Sequence, residues 1–125
     1  MNTFNFTTVT KSVLGDLNTP VSIYLKVRDI FPESVLLESS DFHGNENSLS
    51  YIALKPLASF GVNSYTSEMK YPDGKREKEK ITDSFTVADS MNKFLSHFRI
   101  TGTEADTCGL FGYTSFDAVK YFEQV

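Results

Sequence analysis

A short apolar segment that runs into a carboxylate and hydroxyl groups is the part of this sequence best suited to bind a small polar ligand. Residues 35–41 read Val-Leu-Leu-Glu-Ser-Ser-Asp. The apolar run is too short for a typical helix and rich enough in apolar residues for a buried strand. Where such a strand ends, Glu38 would offer a negative charge and Ser39 a hydrogen-bond donor. A strand that simply reaches solvent gives the same pattern, so a binding role must be argued from a site.

Other residue types that commonly do chemistry lack the necessary spacing. The two histidines, His43 and His97, lie far apart in the sequence and do not form a metal-binding pair. The segment from Gly109 to Gly112 lacks the lysine and the further glycines of a phosphate-binding loop. Cys108 is the only cysteine, which excludes an intramolecular disulfide and a cysteine-based zinc site. The sequence therefore predicts no catalytic residue, no metal site and no cofactor in this chain.

Composition and charge indicate one domain, residues 1–125, and exclude several partners. With 40% hydrophobic residues the chain can build a core. Only residues 75–80 are rich in lysine, and glutamates alternate with the lysines there, which is typical of a solvated strand face. Since the net charge is −4, nucleic acid is not an expected partner. The sequence has no signal-peptide pattern and no apolar run that could span a bilayer, so we expect a cytoplasmic protein without a membrane partner.

Two of the predicted helices have clear start signals. Thr19 suits a helix cap, and Pro20 suits the first helical position because its missing N–H would be unpaired there. Thr86 with Asp89 resembles a capping box. The helix predictions cover residues 20–31, which end before Pro32, residues 87–98, and a short segment capped by Ser115.

Strands are predicted wherever apolar residues alternate or form short runs between turn signals. Pro72 and Gly74 provide the backbone angles of a tight turn, so a hairpin tip is predicted there. The predicted strands cover residues 4–14, 34–40, 48–54, 57–65, 67–71, 75–81 and 109–113. Together with two or three helices and short connections, they predict an α+β domain with a largely antiparallel sheet.

Two segments resemble a known family in residue types and in order. Leu36-Leu37-Glu38-Ser39 with the following residues 42–52 resembles the amino-terminal region of anthranilate synthase component I, the chorismate-using subunit of tryptophan synthesis. Residues 109–123 are similar to an aromatic-Gly-Tyr element that leads, in that family, into an aromatic-Asp-x-x-Arg/Lys-x-x-Glu segment. With Thr19-Pro20 and Lys55-Pro56, the matches cover most of the chain.

The resemblance implies that the chain is an amino-terminal fragment of a larger chorismate-utilising enzyme. The complete subunit would be a lyase that converts chorismate, with glutamine or ammonia, to anthranilate and pyruvate. The chorismate site, the magnesium-binding acids and the catalytic base would lie in its carboxyl-terminal part. We therefore expect the fragment to be inactive alone and to hold no cofactor, with magnesium bound by the complete enzyme. The implied partner is the glutamine amidotransferase, component II.

The resemblance also implies part of a feedback site for tryptophan. Glu38 would face the ammonium group of the inhibitor, because charge-assisted hydrogen bonds are the stronger ones. Ser39 would contribute its hydroxyl or its backbone, and Leu37 would line the indole pocket. Many members of the family carry Arg or Lys at the start of the next strand, where this chain has a serine and a leucine. Ser48 or Ser50 would then supply the third contact.

Two other functions agree with the same residues. The first is the corresponding fragment of aminodeoxychorismate synthase component I. The polar loop at residues 44–47 favours anthranilate synthase over this relative. The second is a stand-alone ligand-binding domain without catalytic activity.

Overall fold

The computed structural model describes residues 2–38, 49–105 and 108–122. The chain divides into two compact units. We call residues 1–10 with 57–125 the aromatic unit, and residues 11–56 the helix–hairpin unit. The elements in chain order are β1 (Phe4–Thr8), α1 (Pro20–Val27), β2 (Val35–Leu37), β3 (Tyr51–Ala53), β4 (Ser59–Asn63), β5 (Thr66–Lys70), β6 (Arg76–Lys80), α2 (Val87–Leu95), β7 (Phe98–Gly102) and a 3₁₀ helix (Phe116–Tyr121).

An antiparallel three-stranded sheet with the order β4-β5-β6 forms the centre of the aromatic unit. Along β5, Ser67 and Met69 are buried while Glu68 and Lys70 are exposed, as alternation in a half-buried strand requires. The turn between β5 and β6 closes through a hydrogen bond from the amide of Tyr71 to the carbonyl of Lys75. Gly74 lies at φ +87°, so the predicted hairpin tip is confirmed.

Helix α2 covers this sheet with an apolar face that begins at a capping box. The Thr86 side chain accepts from the Asp89 amide, and Asp89 accepts from the Thr86 amide. Hydrogen bonds from Thr86 to the Asp89 carboxylate, first of all the one from the backbone amide and then one from the side chain, hold the pKa of Asp89 below its ordinary value. Phe94 packs with Met69 and Tyr71 into the core. Neighbouring rings of the core lie 5.1 to 6.0 Å apart between centroids, and they belong to Phe4, Phe60, Tyr71, Phe94 and Phe98.

The prediction for the end of α2 was wrong, because a strand follows directly. The helix ends at Leu95, and Phe98–Gly102 forms β7, which pairs in parallel with β1. β1 is shorter than the predicted strand and ends at Thr8. The close approach of Thr8 explains Gly102, since a Cβ there would lie 2.5 Å from the Thr8 carbonyl oxygen.

The carboxyl-terminal segment contains the predicted last helix but not the predicted strand before it. Residues 109–113 form no strand, although one was predicted from their apolar residues. The predicted last helix is present as the 3₁₀ helix Phe116–Tyr121. Ser115 precedes it in extended conformation, but its side chain makes no capping hydrogen bond.

The helix–hairpin unit combines α1 with the antiparallel pair β2–β3. Thr19 and Ser22 form a reciprocal capping box and Pro20 is the first helical residue, so the predicted helix start is confirmed. The helix ends at Val27, before the predicted stop at Pro32. Among the described residues of this unit no apolar side chain is fully buried. The unit therefore differs from the aromatic unit in the burial of its apolar surface.

The fold class is confirmed as α+β with mostly antiparallel pairing. In the described part of the chain the strands form three small sheets, two of them antiparallel and one parallel. A single continuous sheet is not present among these residues. The parallel pairing of β1 with β7 joins strands from distant parts of the sequence, and no local sequence pattern specifies it.

Candidate functional site

The end of the β2–β3 hairpin holds the described residues of the predicted inhibitor site. Leu37 pairs with Tyr51 at the last position of the hydrogen-bonded register. Continuing this antiparallel register by one residue sets Glu38 opposite Ser50. Glu38 and Ser50 are exposed, and the Leu37 side chain is 37% exposed. The register thus brings Leu37, Glu38 and Ser50 to one end of the hairpin. Because side chains alternate along a strand, the same register sets Glu38 and Ser50 on one face and Leu37 on the other.

The other two predicted residues, Ser39 and Ser48, lie outside the described residues. Their roles stay predictions. The hairpin is held by α1, which contacts both of its strands. The Tyr24 hydroxyl donates to the carbonyl of Ser34 (3.5 Å), directly before β2. These contacts fix the strand that carries Glu38.

A second candidate site, which the sequence did not indicate, is a cavity of about 340 Å³ in the aromatic unit. We call it the tyrosine cavity, and its lining residues are Tyr65, Ile81, Thr82, Asp83, Thr86, Lys120 and Tyr121. The rings of Tyr65 and Tyr121 meet edge to face, with centroids 5.1 Å apart. The Lys120 ammonium lies 5.2 Å and 5.3 Å from the two centroids. Lys120 occupies the Arg/Lys position of the family-like segment at residues 109–123. This position was the available signal in the sequence that could have pointed to the cavity.

A smaller cavity of about 140 Å³ lies at the edge of the aromatic core. The Tyr71 hydroxyl donates to Glu77 Oε2 (3.4 Å). Burial, assisted by the Glu77 carboxylate, raises the pKa of Tyr71 to about 12. His97 Nδ1 donates to the carbonyl of Asn2 (2.8 Å), and its buried Nε2 has no hydrogen-bond partner among the described residues. Both polar groups take part in the core's packing, so a structural role accounts for this cavity.

The described ranges contain neither a metal-binding cluster nor a membrane-spanning helix. Residues 2–38, 49–105 and 108–122 contain no group of three His, Cys, Asp or Glu side chains that could hold a metal ion. None of the helices described here is long and apolar enough to cross a membrane.

Comparison with known proteins identifies the relatives of the chain. A protein of Pseudomonas putida called anthranilate synthase component 1 is 31% identical over 111 residues, which are 89% of this chain and 22% of that protein. Its namesake in Acinetobacter calcoaceticus is 28% identical over 123 residues, 96% of this chain and 24% of that protein. The chain thus spans about a quarter or less of the length of these relatives. No family model and no solved structure matches it. The resemblance to anthranilate synthase component I that the sequence motifs indicated is therefore confirmed over most of the chain.

Proposed function

We propose that the chain is the amino-terminal region of an anthranilate synthase component I subunit and that its helix–hairpin unit carries part of a tryptophan feedback site. The observation that supports this most is the similarity to two proteins of that name over 89% and 96% of the chain. The complete subunit would act on chorismate as a lyase, with magnesium and the catalytic residues outside this chain. Its partner would be the amidotransferase component II.

The chemistry of the hairpin end suits the amino group of an amino acid. Glu38 is an exposed carboxylate next to the half-exposed Leu37 in the sequence, and Ser50 directly precedes the neighbouring strand β3. An ammonium group would bind the carboxylate through charge-assisted hydrogen bonds. An indole ring would replace water over the exposed part of Leu37, which stabilises the complex through apolar contact.

Inhibition would follow from binding to one of two states of the complete subunit. A ligand shifts such an equilibrium only by its difference in affinity for the two states. The apolar side chains of α1 that remain exposed, Val21 and Leu25 among them, offer a surface for the rest of the subunit. Tryptophan held between this unit and the rest of the subunit would stabilise the state in which chorismate conversion is slow.

The proposal is tested by measuring anthranilate formation by the complete subunit with component II at increasing tryptophan. We expect Glu38→Gln to raise the tryptophan concentration for half inhibition about thirtyfold, equivalent to about 2 kcal/mol for a lost charged hydrogen bond. Ser39→Phe should relieve inhibition by filling the pocket. Both variants should keep their basal activity within about twofold, because neither residue is assigned to catalysis.

Glu33→Gln is the matched control, since Glu33 is an exposed acid of the same unit before β2. Its inhibition curve should match that of the unmodified protein. An unchanged curve for both Glu38→Gln and Ser39→Phe would reject the feedback site. Formation of aminodeoxychorismate in place of anthranilate would assign the complete protein to the sibling enzyme.

A further inference from the structure

We propose that the tyrosine cavity binds the free zwitterion of an aromatic α-amino acid, with Lys120 facing its carboxylate and Asp83 its ammonium group. All lining residues belong to the aromatic unit. The site therefore does not depend on the feedback site proposed for the helix–hairpin unit. Its volume of about 340 Å³ is at the small end of the range for ligand pockets, roughly 300–1,000 Å³, which favours a small ligand.

The Lys120 ammonium is restricted by two aromatic rings and has no ion-pair partner in the described part of the chain. The Lys120 ammonium lies over the rings of both Tyr65 and Tyr121. Among the described residues no carboxylate comes within ion-pair distance of it. Cation–π contacts restrict a lysine but leave its charge available to an anion. A carboxylate that binds here loses less free energy to the ordering of the side chain, because the tyrosines have already restricted it.

The cavity also offers a negative charge. Asp83 lines it, and within the described ranges its carboxylate makes neither a hydrogen bond nor an ion pair. The neighbouring hydroxyls are engaged in the chain before α2. Thr82 accepts from the Phe85 amide, and Thr86 accepts from the Asp89 amide. Two charges of opposite sign that have no ion-pair partner in the described ranges complement a zwitterion better than they complement a simple anion or cation.

The backbone at Tyr65 indicates that an aromatic ring is needed at this place. Ser64 and Tyr65 form the two-residue loop between β4 and β5, with φ +51° and +61°. Such a loop favours Asn-Gly, and a left-handed conformation costs about 1–2 kcal/mol for other residues. Backbone strain of this kind persists where surrounding contacts hold the residue in place, and it is concentrated at functional sites. Here it sets the Tyr65 ring against Tyr121 and beneath Lys120, where it forms the aromatic wall of the cavity.

Three probes that differ only in charged groups test the proposal: L-phenylalanine, 3-phenylpropanoate, which lacks the ammonium, and 2-phenylethylamine, which lacks the carboxylate. Each is titrated into the 125-residue chain, and amide chemical shifts are followed by NMR. Phenylalanine should shift the amides of Tyr65, Ile81 and Tyr121. It should bind about fivefold more tightly than either analogue, as expected for one exposed ion pair per charged group.

Two variants assign the charges. Asp83→Asn should reduce the affinity for phenylalanine to that for 3-phenylpropanoate, whose own binding should not weaken. Lys120→Met should reduce it to that for 2-phenylethylamine. Lys70→Met, an exposed lysine on β5, should change nothing, and Glu38→Gln should also leave phenylalanine binding intact.

Each remaining outcome overturns the proposal. Equal affinity for the three probes would show that neither the ammonium nor the carboxylate group of the ligand contributes to binding. An equal loss for all probes in Asp83→Asn or Lys120→Met would show that the side chain is structural. Shifts confined to residues 35–38 and 50–53 would place the ligand at the hairpin end and reject the cavity, whereas failure of the feedback site would leave the cavity shifts unaffected.

Discussion

The two units of this chain have helices that begin alike and pack differently. In the helix–hairpin unit α1 has eight residues, and in the aromatic unit α2 has nine. Both begin with a threonine in a reciprocal capping box. Yet α2 buries Val87, Ser90 and Phe94, whereas α1 buries none of its residues. Because short helices are stabilised mainly by tertiary packing, the capping signals start both helices, and the sheet beneath α2 should stabilise it more than the β2–β3 pair stabilises α1.

This difference assigns separate roles to the units. A buried aromatic core resists local opening, while an element with few buried apolar contacts opens at lower free energy. Ligand sites that change conformation belong to the second kind. The proposed feedback site lies in the unit without a buried apolar core among its described residues.

The largest expected effect comes from emptying the aromatic core. Phe94 is 1% exposed, so Phe94→Ala should lower the free energy of unfolding by about 3–5 kcal/mol through lost burial and the cavity left behind. Leu25→Ala in α1 is the matched control, because Leu25 is 48% exposed and should cost less than about 1 kcal/mol. Urea unfolding followed by circular dichroism measures both. Equal losses would abolish the distinction between the units.

The next effect is a pH dependence that belongs to the aromatic unit. The pKa of Tyr71 rises from 10.0 to about 12 in the fold, because burial and the Glu77 carboxylate disfavour the phenolate. The unfolded chain therefore releases this proton at lower pH than the folded one. The stabilisation is complete below pH 10 and is lost as the pH rises towards 12, by about 1.4 kcal/mol per pH unit.

Comparison with Tyr71→Phe isolates this proton from those of the other alkaline groups. The variant retains the buried ring but has no proton to lose. Its free energy of unfolding should fall less steeply between pH 10 and 11.5 than that of the unmodified chain. Parallel curves would show that the Tyr71 hydroxyl is not buried as described.

The smallest of these effects concerns the polar link between sheet and helix. Ser90 Oγ donates to Ser67 Oγ (2.8 Å), which donates to the carbonyl of Glu79 (3.2 Å). Ser67→Ala leaves a buried hydroxyl without its acceptor and should cost about 2 kcal/mol. Ser90→Ala should cost about 0.5 kcal/mol or less, because Ser67 keeps its acceptor and alanine favours the helix.

The double variant checks this order. Ser67→Ala with Ser90→Ala should be more stable than Ser67→Ala alone, since no hydroxyl remains unsatisfied. Thermal unfolding of the three variants supplies the measurement. Costs that simply add would show that the two hydroxyls do not act as a pair.

Local signals in the sequence predicted local structure well. Thr19-Pro20, the Thr86–Asp89 pair and the turn at Pro72 to Gly74 each determine their own conformation, and each prediction is confirmed. Strand β7 was missed because Phe98 continues the apolar stripe of α2, and because its partner β1 lies at the other end of the chain. Residues 109–113 form no strand, although two glycines flank apolar residues there.

The candidate sites differ in the same way. Leu37 and Glu38 are neighbours in sequence, so one short segment was enough to single them out. The tyrosine cavity draws Tyr65, Asp83 and Lys120 from three separate segments, and only the folded chain brings them together. The tryptophan contacts of all five residues, Leu37, Glu38, Ser39, Ser48 and Ser50, stay predictions.

Hydrogen exchange of the complete protein, measured along the chain with and without tryptophan, tests the division of roles most directly. Without tryptophan, amides of α1, β2 and β3 should exchange faster than those of β5 and α2, because local opening there costs less free energy. Tryptophan should slow exchange at residues 35–38 and 50–53. Equal protection of both units in the free protein, or a tryptophan effect that leaves these residues unchanged, would contradict the account.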